Sequence, residues 1–193
     1  MPVIGILALQ GGYAAHAHIL NRLGFAVQEV RCADDLNCID GLVLPGGEST
    51  THLKLIERFD LATALNQYMA KEHPVFATCA GMILSAKKVE GPHQESFGWI
   101  DIDVIRNGWG RQVYSGEAEA DPESVHPDLA GDPLPLTLIR APRITRTGSQ
   151  VEILARLNDE AVLVREGHIT AATFHPELTT DSRIHQAVFG HLS

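Results

Sequence analysis

Residues 75–84, Val-Phe-Ala-Thr-Cys79-Ala-Gly-Met-Ile-Leu, constrain the fold more than any other stretch of the chain. Pro74 precedes a short apolar run with the β-branched Val75 and Thr78. The chain then passes through Cys79, Ala80 and Gly81 into Met82, Ile83 and Leu84, which read as helix. A strand that ends on a nucleophile and turns sharply into a helix is a nucleophile elbow, here with cysteine in place of serine. Such a turn exposes the thiol at the strand's carboxyl end, where the helix N-terminus favours thiolate over thiol. The small Ala80 and Gly81 let the turn close and leave backbone N–H groups to face a developing oxyanion. Taken alone, the stretch fits a buried structural cysteine better, the commoner fate of a lone Cys in an apolar strand. The rest of the chain has to decide.

Residues 3–9 form a near-continuous apolar run, the mark of a strand buried on both faces of a parallel sheet, and Gln10-Gly11-Gly12 ends it. A helix follows to about Leu23, with Ile19, Leu20 and Leu23 on one side and Gly24 as its stop. Residues 25–30 read as a second strand and 40–44 as a third. The Pro45-Gly46-Gly47-Glu48 turn then leads into a helix that Ser49 or Thr50 would cap. Helix continues over 61–70 before the strand that ends at Cys79. This β-α-β-β-α-β alternation predicts an α/β fold: a doubly wound, mostly parallel sheet with flanking helices, in a single domain over residues 1–193. Sites in such sheets gather at the strands' carboxyl ends, where Gln10, Gly46-Gly47 and Cys79 all fall.

The middle of the chain changes character. Alternation at Ile100, Ile102 and Val104 and polar turns over 98–120 predict a small antiparallel portion, and the Pro-, Asp- and Gly-rich 121–134 an exposed loop. Short strands are expected at 136–140, 151–157 and 161–166, the last two joined at Asn158-Asp159. Another over 169–174 leads into His175-Pro176-Glu177, and a final helix spans 181–192.

Charge and composition narrow the function classes. The 193 residues carry a net charge of −9 with no basic stripe, which argues against nucleic acid and against an anionic membrane surface. No apolar run approaches the length of a membrane span, and the first residues lack a signal peptide's charged region. Three cysteines (Cys32, Cys38, Cys79) without framework spacing suit a reducing compartment, so a cytoplasmic location is expected. His16 and His18, two apart on a helix, do not share a face, and Cys32 and Cys38 lack further ligands. No metal site is expected, and the Gly pairs lack the spacing of a phosphate or dinucleotide loop.

His175-Pro176-Glu177 is the second informative stretch. Pro176 biases His175 toward extended backbone, in which residues i and i+2 point the same way with Cα atoms roughly 6.5 Å apart. Glu177 can then bond one imidazole nitrogen while the other faces a thiol, the orienting-carboxylate logic of a catalytic triad. The tripeptide alone would pass for a polar loop. Paired with a cysteine elbow in an α/β sheet, it points to Cys79, His175 and Glu177 acting together.

Thr78-Cys79-Ala80-Gly81 with a late His175-Pro176-Glu177 resembles the class I, triad-type glutamine amidotransferases. Further motifs narrow this: Ala8-Leu9-Gln10-Gly11, residues 44–51, Arg106-Asn107, Gly110-Arg111-Gln112 and Ile139-Arg140-Ala141-Pro142. They are similar to the glutaminase subunit of pyridoxal 5′-phosphate synthase, the PdxT/SNO family, and run in order along essentially the whole chain. The resemblance implies a glutaminase that releases ammonia from L-glutamine and passes it to a partner synthase subunit of the PdxS family for vitamin B6 synthesis, in a large hetero-oligomer and without a cofactor. It implies Cys79 as nucleophile, His175 as proton shuttle, Glu177 as orienter, and the amides of Gly47 and Ala80 as oxyanion hole. Gly47, Glu48, Ser49, Arg106, Ile139 and Arg140 would hold glutamine, and Gln10-Gly11 would rearrange when the partner docks. The chain departs from the family's pattern at Gly108-Trp109, at Arg143-Ile144-Thr145 and at residues 94–97, all outside the triad.

Two other readings differ in class. A cysteine hydrolase of the ThiJ/PfpI kind shares such a sheet, but there histidine typically follows the nucleophile and here Ala80 does. A non-enzymatic sensor or scaffold would have no need of Cys79, His175 and Glu177 together.

Overall fold

The computed structural model describes residues 1–106, 108, 115–121 and 125–192. In chain order the elements are β1 (Val3–Leu7), α1 (Tyr13–Arg22), β2 (Ala26–Val30), β3 (Gly41–Leu44), α2 (Ser49–Arg58), α3 (Ala62–Met69), β4 (Val75–Thr78) and α4 (Ala80–Ser85). They continue as β5 (Ala86–Glu90), β6 (Ile100–Ile105), β7 (Ser115–Glu119), β8 (Pro135–Ile139), β9 (Arg143–Thr147), β10 (Glu152–Leu157), β11 (Glu160–Glu166), β12 (Ile169–Ala172) and α5 (Arg183–Phe189).

Seven strands form the main sheet in the order β10-β11-β12-β4-β3-β1-β2. Its five strands from β12 to β2 run parallel, and β10 and β11 add an antiparallel edge. The apolar runs supply both faces. Along β4, Val75 and Ala77 enter one core with Ile56, Leu65 and Met69, while Phe76 enters the other with Leu20, Ile184 and Phe189. Helices α2 and α3 therefore cover one face and α1 and α5 the other, which is the doubly wound arrangement. β1 leads to β2 on one side and to β3 on the other, so the chain reverses its winding direction beside β1. The carboxyl ends of β1, β3 and β4 open at this switch point, where α/β sheets place their ligands.

Several expectations need correction. The strands expected over 98–120 do take antiparallel partners, but in two different sheets and with one parallel neighbour. β6 runs parallel to β5 and antiparallel to β9 in a separate three-stranded sheet, while β7 pairs with β8. The expected exposed loop at 121–134 buries Leu129 and Leu134 in the α5-side core, so its apolar residues outweigh its Pro- and Gly-rich composition. The helical run after Gly47 breaks at Asp60, a positive-φ residue, into α2 and α3. Asn107, Trp109, Gly110, Arg111 and Gln112 lie outside the described residues. Among the described residues no helix is long and apolar enough to cross a membrane.

One close approach fixes α4 against the sheet. A Cβ on Gly81 would meet the Leu44 carbonyl oxygen of β3 well inside contact distance. Gly81→Ala should push α4 off β3 and destabilise the protein by roughly 1–3 kcal/mol, the usual cost of overpacking. Urea unfolding reads this directly, and an unchanged midpoint would contradict the packing.

Candidate active site

Cys79 stands between β4 and α4 with φ 46° and ψ −101°. A non-glycine residue in this region is strained by about 1–3 kcal/mol and persists only where its surroundings hold it. Here the Cys79 amide donates to the Ala172 carbonyl of β12 at 2.8 Å, and the Cys79 carbonyl accepts from Ile83 at 3.1 Å within α4. Sheet and helix thus clamp the residue from both sides. The side chain is buried, and the Ala80 amide that follows lies in the first turn of α4, where N–H groups have no intrahelical acceptor.

β12 lies beside β4 in the sheet and brings in the second motif. His175 follows it and anchors its own amide on the Thr137 carbonyl at 2.9 Å, and Pro176 opens a short 3₁₀ turn that contains Glu177. His175 Nδ1 lies 2.7 Å from Glu177 Oε1, the expected contact, but it is made by His175 at φ −112° and ψ 81° leading into the 3₁₀ turn rather than by extended backbone. Burial lowers the His175 pKa, but Cys79 and Glu177 outweigh it and raise the value to about 10. These partners favour the imidazolium form of the ring. Burial pushes the Glu177 carboxyl up, and the His16 and His175 rings bring it below its ordinary value. Gly46 packs so closely on the imidazole that a Cβ there would overlap Cε1.

A cavity of about 170 Å³ opens above these groups. Cys79 and His175 line it together with Gly47, Glu48, Ser49, Arg106, Ile139 and Arg140, every residue the family resemblance implies for glutamine. Ile83 joins them, a wall residue that reads from sequence only as helix core. Arg106 Nη2 lies 3.1 Å from Glu48 Oε1, so the two opposite charges meet across the site. Arg140 sits at positive φ, 44°, where β8 ends. Ser49 donates its hydroxyl to Gln94 Oε1 at 2.7 Å.

The loop carrying Gly46 and Gly47 is tied to the turn after β1. Gln10 donates its Nε2 to the Glu48 carbonyl at 3.0 Å, and the Gly12 amide donates to the Gly46 carbonyl at 3.0 Å. Gly11 needs glycine on two counts: its φ is 84°, and a Cβ would overlap the Gly46 carbonyl oxygen. The two segments are thus one mechanical unit beside Cys79 and His175.

The structure also corrects the helix cap. Neither Ser49 nor Thr50 caps α2; the Glu48 side chain does, accepting from the Thr50 amide at 3.2 Å and the Thr51 amide at 2.7 Å, and from both threonine hydroxyls. A carboxylate suits the positive end of a helix dipole. Two residues of the site escaped sequence reasoning altogether. His16, read there only against its helix neighbour His18, is fully buried with Nε2 3.3 Å from Glu177 Oε2, and its Nδ1 lies 2.9 Å from His185 Nε2. Glu177 comes from the turn after β12 and His185 from α5, both far along the chain. Among the described residues there is no cluster of His, Cys, Asp and Glu fit to hold a metal.

The fold and this thiol–imidazole–carboxylate grouping place the chain among glutamine amidotransferases. A crystal structure of a glutamine amidotransferase is 40% identical, with a TM-score of 0.87 and 97% of each chain covered. A model of the SNO glutamine amidotransferase family matches residues 6–191. The chain belongs to that family. It is 46% identical over 183 residues to the pyridoxal 5′-phosphate synthase subunit PdxT of Thermotoga sp. (strain RQ2), covering 95% of both chains. It is 48% identical over 187 residues to the subunit of the same name from Frankia casuarinae, covering 96% of this chain and 92% of that one.

Burial raises the Glu48 carboxyl, and the Thr50 and Thr51 bonds outweigh it and hold the pKa near 2. The stability this cap contributes is present above the ordinary value of 4.5 and is lost as pH falls toward about 2. Glu48→Ala should therefore cost about 1 kcal/mol at neutral pH, the usual worth of a cap on a half-exposed helix end. Urea unfolding of the two proteins should converge as pH falls toward that range; a gap independent of pH would contradict the cap.

Proposed function

We propose that this chain is the glutaminase subunit of a pyridoxal 5′-phosphate synthase and hydrolyses L-glutamine through Cys79, His175 and Glu177. The observation that carries the reading is the geometry of His175, held on Glu177 at 2.7 Å and lining one cavity with Cys79.

In this reaction the Cys79 sulfur attacks the side-chain amide carbon of glutamine. The carbon–sulfur bond forms as the carbonyl π pair moves to oxygen, which the Gly47 and Ala80 amides would receive. Collapse of the tetrahedral adduct breaks the carbon–nitrogen bond, and His175 delivers its Nε2 proton to the departing ammonia. Water then attacks the thioester, its proton passing to His175, and collapse of the second adduct breaks the carbon–sulfur bond, releasing glutamate and expelling the Cys79 sulfur as thiolate. Glu177 remains a carboxylate throughout and holds the imidazole in one orientation. Arg106 and Arg140 supply cationic donors for the substrate's carboxylate, and Glu48 an acceptor for its ammonium group.

Ammonia released without an acceptor is wasted, and this favours control by the synthase subunit to which it passes. The Gln10–Gly12 turn is suited to that control, because its bonds to Gly46 and Glu48 connect the surface at the end of β1 to the proposed oxyanion donor Gly47. One well-aimed donor is worth roughly 10²–10³ in rate, enough to separate idle from active enzyme. The same reading places the pair in the cytoplasm, where the free Cys32, Cys38 and Cys79 would stay reduced.

Glutamate production should be slow for the chain alone, rise by roughly 10²-fold or more on adding a cognate synthase subunit, and vanish in Cys79→Ala under both conditions. Turnover that survives the Cys79→Ala change would sink the assignment, and equal rates with and without the partner would refute the switch.

A further inference from the structure

The carboxylate of Glu177 faces a different histidine at each oxygen. Oε1 meets His175 at 2.7 Å, and a Cβ on Gly12 would lie only 3.1 Å from the same atom. Oε2 receives no hydrogen bond from the described residues, and His16 Nε2 faces it at 3.3 Å, an ion-pair distance rather than hydrogen-bond geometry. The same His16 Nε2 lies 3.2 Å from Thr78 Oγ1, one residue before the nucleophile. His16 Nδ1 lies 2.9 Å from His185 Nε2, and His185 Nδ1 is buried with no hydrogen-bond partner among the described residues. Phe76 packs edge-on against both rings, with centroids at 6.0 Å from His16 and 5.2 Å from His185.

These contacts leave one consistent placement of protons. A lone pair on His16 Nε2 would confront a carboxylate oxygen at 3.3 Å, so that nitrogen carries a proton. Between His16 Nδ1 and His185 Nε2 there is room for one proton only. If His16 Nδ1 held it, neutral His185 would have to protonate Nδ1, burying an N–H with nothing to accept it. Orphaned buried N–H groups are rarer and costlier than unused acceptors. The proton therefore sits on His185 Nε2 and is donated to His16 Nδ1, and both rings are neutral. The titratable groups around His16 are Glu177, His175 and His185, and burial, helped by His175, outweighs Glu177 to hold the imidazole below its ordinary pKa. Burial likewise depresses His185, whose charged-form neighbour is His16.

We infer that His16 and His185 are positioning residues for the triad: a neutral histidine pair, each ring protonated on Nε2, that fixes Glu177 so that it presents Oε1 to His175. This rests on the triad reading above. His185 acts at one remove, by holding His16 in the tautomer whose Nε2–H bonds Thr78 Oγ1 at 3.2 Å and presents its positive edge to Glu177 Oε2 at 3.3 Å. The arrangement extends the Cys79–His175–Glu177 line through α1 to α5, on the face of the sheet opposite α2 and α3.

The test combines a tautomer measurement with kinetics. In the full chain labelled with ¹⁵N-histidine, long-range ¹H–¹⁵N spectra should show His16 and His185 protonated at Nε2 and bare at Nδ1 near neutral pH. His16→Leu, which keeps the volume and removes the donor, should lower kcat for glutamine by roughly 10–100-fold with KM within about twofold, measured with the synthase partner present. His16→Gln, whose amide can still point an N–H at Glu177, should recover most of the loss. His16 found protonated at Nδ1, or a folded His16→Leu chain with the unaltered kcat, would overturn the inference while leaving the triad intact. A His16→Gln chain as slow as His16→Leu would also overturn it, by showing that packing and not the donor matters. Should His16→Leu fail to fold, the tautomer spectrum of the unaltered chain decides alone. Glutamine turnover in Cys79→Ala would instead remove the triad, and the positioning role with it.

Discussion

The site hangs on the backbone of one residue. Cys79 holds a positive φ that a side-chain-bearing residue adopts only under compulsion, and the compulsion comes from its neighbours. β12 accepts its amide, α4 captures its carbonyl, and Gly81 brings α4 against the end of β3 with no room for a methyl group. These contacts require β3, β4 and β12 to be adjacent and parallel. The same adjacency places Gly46, Cys79 and His175 side by side at the sheet's carboxyl edge. The strained residue and the assembled site are thus two results of one strand order.

Around that point the charges are arranged in two tiers. Below, a buried carboxylate holds a cationic imidazole, and a neutral histidine pair stands behind the carboxylate. Above, Glu48 and Arg106 meet across an open cavity, where a zwitterionic ligand would find partners for either charge. The lower tier is proposed to do chemistry and the upper to select. Glu48 belongs to both local structure and binding, since it caps α2 while facing the cavity. The Gln10–Gly12 turn ties the tiers together through backbone bonds to the Gly46–Glu48 segment.

Much of this was legible in the residues because it depends on short-range rules. Apolar runs of strand length gave the parallel sheet, and the two-residue spacing of His175 and Glu177 gave their contact. The family resemblance pointed to the cavity lining, where Arg106 after β6 and the adjacent Ile139 and Arg140 at the end of β8 come from two elements that no periodicity connects. What stayed hidden depends on distant pairing. His16 meets His185 across 169 positions, and on its own helix it offers only the mismatched His18 as a partner. Leu129 and Leu134 were masked by the polar and Pro-rich residues between them, although burial is decided by the apolar side chains. Glu48 was passed over as a cap because its longer side chain is an uncommon choice there; two threonine hydroxyls and their amides make it fit.

The central claim is that Glu177 and Cys79 keep His175 protonated at neutral pH, ready to give a proton to departing ammonia. Following the His175 Cε1 proton by NMR across pH tests this most directly, with assignment by a His175→Asn control. The account predicts a ring that stays an imidazolium through the neutral range and titrates at about 10. A ring that lost its proton near the ordinary value of 6.5 would contradict it.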